Sequence, residues 1–395
     1  MKQHNLILAL LVALVHTVAA QTPPADNPST SLPLLLKAVP GGDSLAVQHQ
    51  HLYLDLDATA FFYDTERFMP FEKGTTTVGT HFAPALVYGI NPRAHLRVGF
   101  DATLIAGLDS IHTLRPLLSL VYAPTRWLTL VGGSLFGTHN HQVGDPALDP
   151  LRALLHHAES GFQILTHTPR WQSDSWLDWT HYLTPYTYDQ EYFTLGTRHR
   201  LHLLSLNADM PDLSLDGHFM ALHRGGEAKT IDTNMVTHLN ERIALQFALP
   251  LSHALQLHLT MPALFSQQVC ADGIIEPGYA FMPSAGLRLL LPNDGLAPLL
   301  RLYANAGFYY GHNYYCKYGA PQFWSLNDYT RPFLRTAADA TADPRRMPFL
   351  CLSAEHRFAN LAVGLQFDAY HDLTLHKSDF LFAFYMRYDG LVRLR

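Results

Sequence analysis

Charged side chains recur at alternate positions of extended stretches in this chain: Asp55 and Asp57, Arg97 and Asp101, Arg115, Asp178, Arg198 and Arg200, Asp216 and His218, Arg242, Arg288, Arg301, Glu355 and Arg357, Asp368, and Arg387. Both signs are present and arginine is prominent. In a strand, residues two apart share a face, so each set would project from one side of a sheet. Gathered around a water-filled constriction, such groups set a field that selects solutes by charge and size. Packed into a closed interior, the same groups would pair with one another. A charge facing hydrocarbon at the bilayer midplane would cost roughly 2–4 kcal/mol, so in a membrane-spanning sheet they must point away from lipid.

Other chemistry is suggested less sharply. Histidine is abundant at 24 residues, with His139-Asn140-His141 and His156-His157 close together and His199, His202, His218, His223 and His238 further on. Imidazole is a common metal or haem ligand. These histidines lack carboxylate or cysteine at metal-ligand spacing, so no metal and no cofactor is assigned. For hydrolysis, His157, Glu159 and Ser160 are near one another in sequence and Asp216 shares a face with His218. Neither set forms a nucleophile elbow or a known triad order, and the residues alone point to no enzyme. Cys270 and Cys316 fall in predicted loops where a disulfide would join them in an oxidising compartment, and Cys351 would compete for either partner.

The elements that must position these groups are strands. About sixteen segments alternate apolar with polar or small residues: 51–63, 75–90, 93–106, 112–122, 126–138, 158–167, 174–183, 190–206, 213–223, 233–248, 253–269, 278–291, 297–310, 347–359, 360–372 and 376–392. The links after even strands are short and rich in Pro, Asn, Asp or Gly, as in Asn91-Pro92-Arg93 and Pro124-Thr125-Arg126. Links after odd strands run long at 65–74, 139–157, 267–278 and 311–347. A soluble sandwich has no reason to sort its loops by parity. An up-and-down transmembrane barrel has short periplasmic turns and longer outer loops.

The last strand is the most apolar on one face, with Phe380, Phe382, Phe384, Met386 and Tyr388 alternating against Leu381, Ala383, Tyr385, Arg387 and Asp389. Left unpaired, it would be an aggregation-prone edge. The first strand, with Leu52, Leu54, Leu56, Ala58, Ala60 and Phe62 on one face, is the expected closing partner. The fold class is therefore all-β, a closed antiparallel transmembrane barrel of about sixteen strands. Tyr88, Trp127, Trp171, Trp176, Trp179, Tyr309 and Tyr310 are expected in the aromatic girdles. The aromatic run from Tyr309 to Trp324 continues into the longest outer loop, as a surface that stacks on sugar rings, as a constriction packed down into the pore, or as a loop folded back on its own small core.

Composition agrees with an exported membrane protein. Over 395 residues, charged residues are 15%, aromatic ones 12%, and net charge is −6, which argues against nucleic acid as a partner. Lys2, the apolar run Leu6–Val15 and Val18-Ala19-Ala20 read as a signal peptide over 1–20. A periplasmic leader over 21–50 and the barrel over 51–395 follow.

The run Trp176-Leu177-Asp178-Trp179, followed by Asp189-Gln190-Glu191-Tyr192-Phe193-Thr194-Leu195-Gly196, resembles a segment of uncharacterised porin-like outer-membrane barrels of the Bacteroidota. The resemblance implies an outer-membrane location and carries no assigned chemistry. The expected function is a porin-like channel for passive uptake of small solutes, with the alternating charged set lining its pore. Outer-membrane lipid, small solutes and the barrel-assembly machinery are the expected partners. Two other readings stand beside it: a non-conducting barrel whose outer loops capture a ligand, and an outer-membrane hydrolase dependent on Ser160 or His218. The sequence leaves the oligomeric state open.

Overall fold

The computed structural model describes residues 47–156, 158–182, 190–204, 210–225, 235–270, 273–291, 299–327, 330–334, 343–358 and 360–394. The expected signal peptide and nearly all of the expected leader lie outside these residues.

Strands dominate: β1 (Leu52–Glu66), β2 (Thr75–Asn91), β3 (Ala94–Ile105), β4 (Thr113–Thr125), β5 (Leu128–Ser134), β6 (Ser160–His167), β7 (Trp171–His181), β8 (Glu191–Leu204), β9 (Asp212–Gly225), β10 (Val236–Pro250), β11 (Leu255–Cys270), β12 (Gly273–Phe281), β13 (Ser284–Leu291), β14 (Leu299–His312), β15 (Arg345–Phe358), β16 (Leu361–Asp372) and β17 (Lys377–Arg393). Each pairs antiparallel with its sequence neighbour except β12 with β13, and β1 pairs with β17 from Tyr53↔Arg393 to Glu66↔Phe380, which closes the sheet on itself. β12 and β13 each pair with both β11 and β14. They are two halves of one strand parted at Met282-Pro283, so the wall has the expected sixteen strands.

The two-residue period sorts the side chains. On β17, Leu381, Ala383, Tyr385 and Arg387 are buried inside, whereas Phe380, Phe382 and Met386 face out and are about 40% exposed. Phe82, Leu86, Val98, Phe100, Leu114, Leu118, Phe162 and Ile164 extend the same outward apolar surface. That band suits membrane lipid. Tyr88, Trp127, Trp171 and Trp179 are exposed in or beside the end turns of their strands, as girdle residues are. Trp176 and Tyr309, expected with them, instead fall on the inward register and are buried.

Two loop expectations are corrected, and a third is decided among its alternatives. Residues 267–278 form no long loop, because the alternation of Gln268, Val269 and Cys270 keeps β11 paired as far as Cys270↔Gly273. β5 ends at Ser134 rather than 138, where the chain turns inward through Gly137 at φ 86°, a conformation glycine adopts without steric cost. The third concerns the described residues of 135–159 and 313–334, which fold down into the barrel, one of the courses open to the aromatic run. Tyr314, Cys316, Ala320 and Phe323 become buried against Leu135, Val143, Ala147 and Leu148 from the other loop and Leu264, Met282, Tyr309 and Phe349 from the wall.

The two loops are locked together. Tyr314 donates from its hydroxyl to Pro146 O at 3.1 Å, Ala320 N–H donates to Asp145 O at 2.8 Å, and Asp149 N–H donates to Tyr318 O at 2.6 Å. A Cβ on Gly319 would sit 2.1 Å from Pro146 O, so the crossing requires glycine. Asp149 caps a short helix, α1 (Pro150–Leu155), by accepting from Leu151 N–H at 3.0 Å, with Pro150 at its first position. Leu154 of α1 packs onto Phe61, Tyr63 and Tyr385 at the β1–β17 seam. The aromatic run is thus a plug of the lumen at its outer rim.

Cys270, Cys316 and Cys351 are all free thiols. The expected Cys270–Cys316 disulfide is absent because Cys316 is held in the plug core, its thiol directed at Ala147 O at 3.4 Å, while Cys270 ends β11 at the rim.

Candidate functional site

Where the inward face of β7 meets the first plug loop, the structure leaves a cavity of about 220 Å³. Asp174, Trp176, Asp178 and Thr180 alternate along that face, so four consecutive inward positions of one strand contribute to the site. The Trp176 indole has room because its register partner on β8 is Gly196, where a Cβ would lie 2.1 Å from the ring.

His141 sits at the centre. Its Nδ1 is 2.7 Å from Asp174 Oδ2, its Nε2 is 2.5 Å from Glu159 Oε2, and its ring stacks on Trp176 at 3.6 Å between centroids. Gln163 Nε2 donates to the other Asp174 oxygen at 2.9 Å. Burial opposes charging this imidazole, but Glu159 and Asp174 together outweigh burial and hold it at about 10. At neutral pH, His141 is an imidazolium clamped by two carboxylates. It cannot act as a base.

Across the cavity are Arg115, Arg152 and His156, with Thr138, Ala158, Asp178, Thr180 and Thr194 between. Arg115 donates to Ala158 O at 3.2 Å, and the Arg152 guanidinium lies 3.5 Å above the Tyr318 ring. Asp178 accepts from Ser160 N–H at 2.8 Å and from the Thr180 hydroxyl at 3.2 Å. Partial burial, then the nearby Arg152, His112 and Arg115, push His156 below its ordinary value. It is therefore neutral at pH 7 and able to take a proton. Val143, Leu148, Trp176 and Met220 supply an apolar wall.

Of the alternating charged set, only Arg115 and Asp178 reach this cavity. The others lie elsewhere inside the barrel, mostly buried and often in contact with one another. Arg97 pairs with Asp55 at 2.9 Å, and Asp101 with His81 at 2.7 Å. Arg198 and Arg242 both bind Asp216, with Arg200 opposite Asp216 in register and His218 between the two arginines. Arg301 and Arg357 approach Glu355 at 3.7 and 3.6 Å, and Tyr385 donates to Glu355 at 3.0 Å. Gln366 donates to Asp368. Asp57 and Arg387 are buried, and Arg288 is partly so.

The residues named for hydrolysis do not meet. Ser160 is exposed on the outward register of β6, His218 lies within the barrel, and His157 falls outside the described residues. Glu159 alone of that group enters the site. Asp174, Thr180 and Arg152 had no distinguishing signal, while Trp176-Leu177-Asp178-Trp179 and the histidine-rich loop were visible in the sequence without a partner to give them meaning. Among the described residues, no group of three or more His, Cys, Asp or Glu is arranged to hold a metal.

Comparison with solved structures places the architecture among outer-membrane barrels. A loop-deletion form of the outer membrane protein OmpT of Vibrio cholerae matches with TM-score 0.50 and 11% identity, covering 86% of this chain and 100% of that one. The outer membrane protein OprD from Pseudomonas aeruginosa matches with TM-score 0.50 and 10% identity, covering 88% of this chain and 96% of that one. Likeness at this identity is one of fold. No curated protein matches the chain.

A family model described as Lipid A 3'-O-deacylase-type matches residues 44–395. The description is of an enzyme, and it overturns the expectations of a passive solute channel, of a non-conducting capture barrel, and of a protein without enzymatic activity. The reason is physical: strand alternation reports which face meets lipid, and is blind to long loops that fold inward and assemble a site. From residue 44 to 395, the chain belongs to the Lipid A 3'-O-deacylase-type family.

Proposed function

We propose that this chain is an outer-membrane hydrolase that cleaves an acyl ester of an anionic glycolipid of the lipid A class, in the cavity beneath the outer rim. The observation that supports this reading is the convergence there of a neutral imidazole, two guanidinium groups and an apolar wall. His156 takes a proton from water as the water oxygen bonds to the ester carbonyl carbon. Arg115 and Arg152 offset the negative charge that develops on the carbonyl oxygen. The carbon–oxygen bond to the sugar then breaks, and the leaving oxygen receives the proton from His156. Free fatty acid and a sugar hydroxyl result. Asp174, Glu159 and His141 position the loop that carries these groups, and Val143, Leu148 and Met220 receive the proximal methylenes of the acyl chain.

The test is release of fatty acid from lipid A in mixed micelles by the refolded protein, followed by mass spectrometry. His156→Gln is expected to slow release by about 10²–10⁴-fold, the usual contribution of a positioned general base. Ser160→Ala, on the outward face, is expected to leave it unchanged. Equal rates for the native protein and His156→Gln would refute the assignment of the base.

A further inference from the structure

Two inward positions below Thr194 on β8, and one below Met220 on β9, the barrel wall carries a charge imbalance unrelated to the ester chemistry. Arg198 of β8, His218 of β9 and Arg242 of β10 form one row across the strands, and Arg200 stands beside Asp216 in the next. Asp216 is the carboxylate all three arginines share. Its Oδ2 accepts from Arg198 at 2.5 Å and its Oδ1 accepts from Arg242. Arg198 also donates to Gln142 Oε1, in the plug loop, at 2.9 Å. The neighbouring carboxylate on β9, Asp212, is 3.0 Å from His202.

These bonds leave donors over. Arg242 Nε and Nη2, Arg198 Nε and Arg200 Nε are buried with no acceptor, and His218 Nε2, donor or acceptor according to tautomer, is buried with no partner. Arg198 is 3% exposed, Arg242 4% and His218 6%. A guanidinium keeps its proton in a protein, so it cannot lose its charge to relieve burial as a lysine can. Three guanidinium groups face Asp216, with Asp212 near Arg200 but already engaged by His202, so positive charge stays in excess by at least one, and leaving buried charge uncompensated is strongly unfavourable. Water would satisfy the donors without neutralising them. A tetrahedral oxyanion of charge near −2 would do both, and guanidinium forks match its geometry.

We propose that Arg198, Arg200, Arg242 and His218 form a lumenal binding site for a phosphate group, separate from the hydrolytic cavity above it. The group could arrive as free phosphate or as the phosphate of a lipid headgroup, and the experiment distinguishes the two.

The full chain, refolded in a zwitterionic detergent at pH 7, is unfolded thermally with inorganic phosphate titrated against chloride at constant ionic strength. A parallel series adds lipid A in phosphate-free buffer. The expected result is a saturable rise in midpoint with phosphate and none with chloride, since a ligand bound only by the folded state stabilises it in proportion to its saturation. Arg242→Gln should weaken the apparent affinity about 10- to 100-fold, the loss that accompanies one charged hydrogen bond. Should that variant fail to refold, Asp216→Asn serves instead. It removes the competing carboxylate and should tighten binding, whereas a purely structural ion pair would lose stability and gain no phosphate dependence. An Arg242-dependent rise with lipid A alone assigns the phosphate to a headgroup. Equal response to phosphate and chloride with no response to lipid A, or a full phosphate response retained by Arg242→Gln, overturns the site.

Discussion

His141 and His156 belong to the same loop, yet their surroundings give them opposite behaviour. His141 lies between Glu159 and Asp174, which raise it to about 10 against the opposition of burial. A histidine raised on folding lends stability that is fully present below about pH 6.5, its unfolded value, and is lost as pH rises through about 10. Alkaline titration should therefore loosen the plug between those limits, read as rising Trp176 accessibility to a quencher, and His141→Gln should remove that dependence. Because the variant leaves two carboxylates without their buried counterion, it should also cost about 3–5 kcal/mol in thermal or denaturant unfolding. His156 is pushed down by burial, Arg152, His112 and Arg115. The acid limb of kcat/KM is accordingly expected below the ordinary histidine value, and Arg152→Gln should move it upward by removing one cation. A limb that stays in place would show that some other group carries the proton.

At the scale of elements, the site exists because a strand face and two loops meet. β7 supplies Asp174, Trp176, Asp178 and Thr180 by simple alternation, and β8 supplies the Gly196 gap into which Trp176 fits. Gly196→Ala should drive the indole from its stack on His141, at a cost of about 1–3 kcal/mol for the overpacked contact, with a drop in fatty-acid release visible alongside the changed tryptophan fluorescence. The plug loops depend on the wall in the same way. Arg345, fully buried, donates to Trp324 O at 2.6 Å and pairs with Asp372, while the Tyr309 hydroxyl donates to Phe323 O at 2.5 Å. Each such bond contributes about 0.5–1.5 kcal/mol net, so their number rather than any one of them keeps the plug seated.

For the whole molecule, the closed sixteen-stranded wall leaves no free edge and turns one face of every strand outward to lipid. Leu118, 58% exposed near the middle of β4, reports on that face. Leu118→Arg is expected to destabilise the inserted barrel by roughly 2–4 kcal/mol at the bilayer midplane, measured by reversible unfolding from lipid vesicles. The same substitution should matter far less in detergent micelles, where the charged end can reach water more easily. A penalty of equal size in both media would show that Leu118 packs against protein rather than lipid.

Closure, the outward apolar band and, apart from the link after β11, the parity of the connections were legible in the residues themselves. Alternation at a period of two is a local property, and the pairing of the last strand with the first, Phe380–Tyr388 against Ala58–Glu66, follows from the need to cover two otherwise bare edges. The inward facing of the charged set follows from parity as well, but which of those groups meet, Arg97 with Asp55 and Arg242 with Asp216, was fixed only by the register of the folded sheet. What only the tertiary structure decided was everything the loops do. Tyr314–Trp324 reads equally as an outer surface or a buried core until Gly319 is seen crossing Pro146. His141 has no meaning until Asp174 and Glu159, from different segments, close on it. Contacts between residues far apart in sequence leave no periodic trace, and the hydrolytic site of this barrel is made of such contacts.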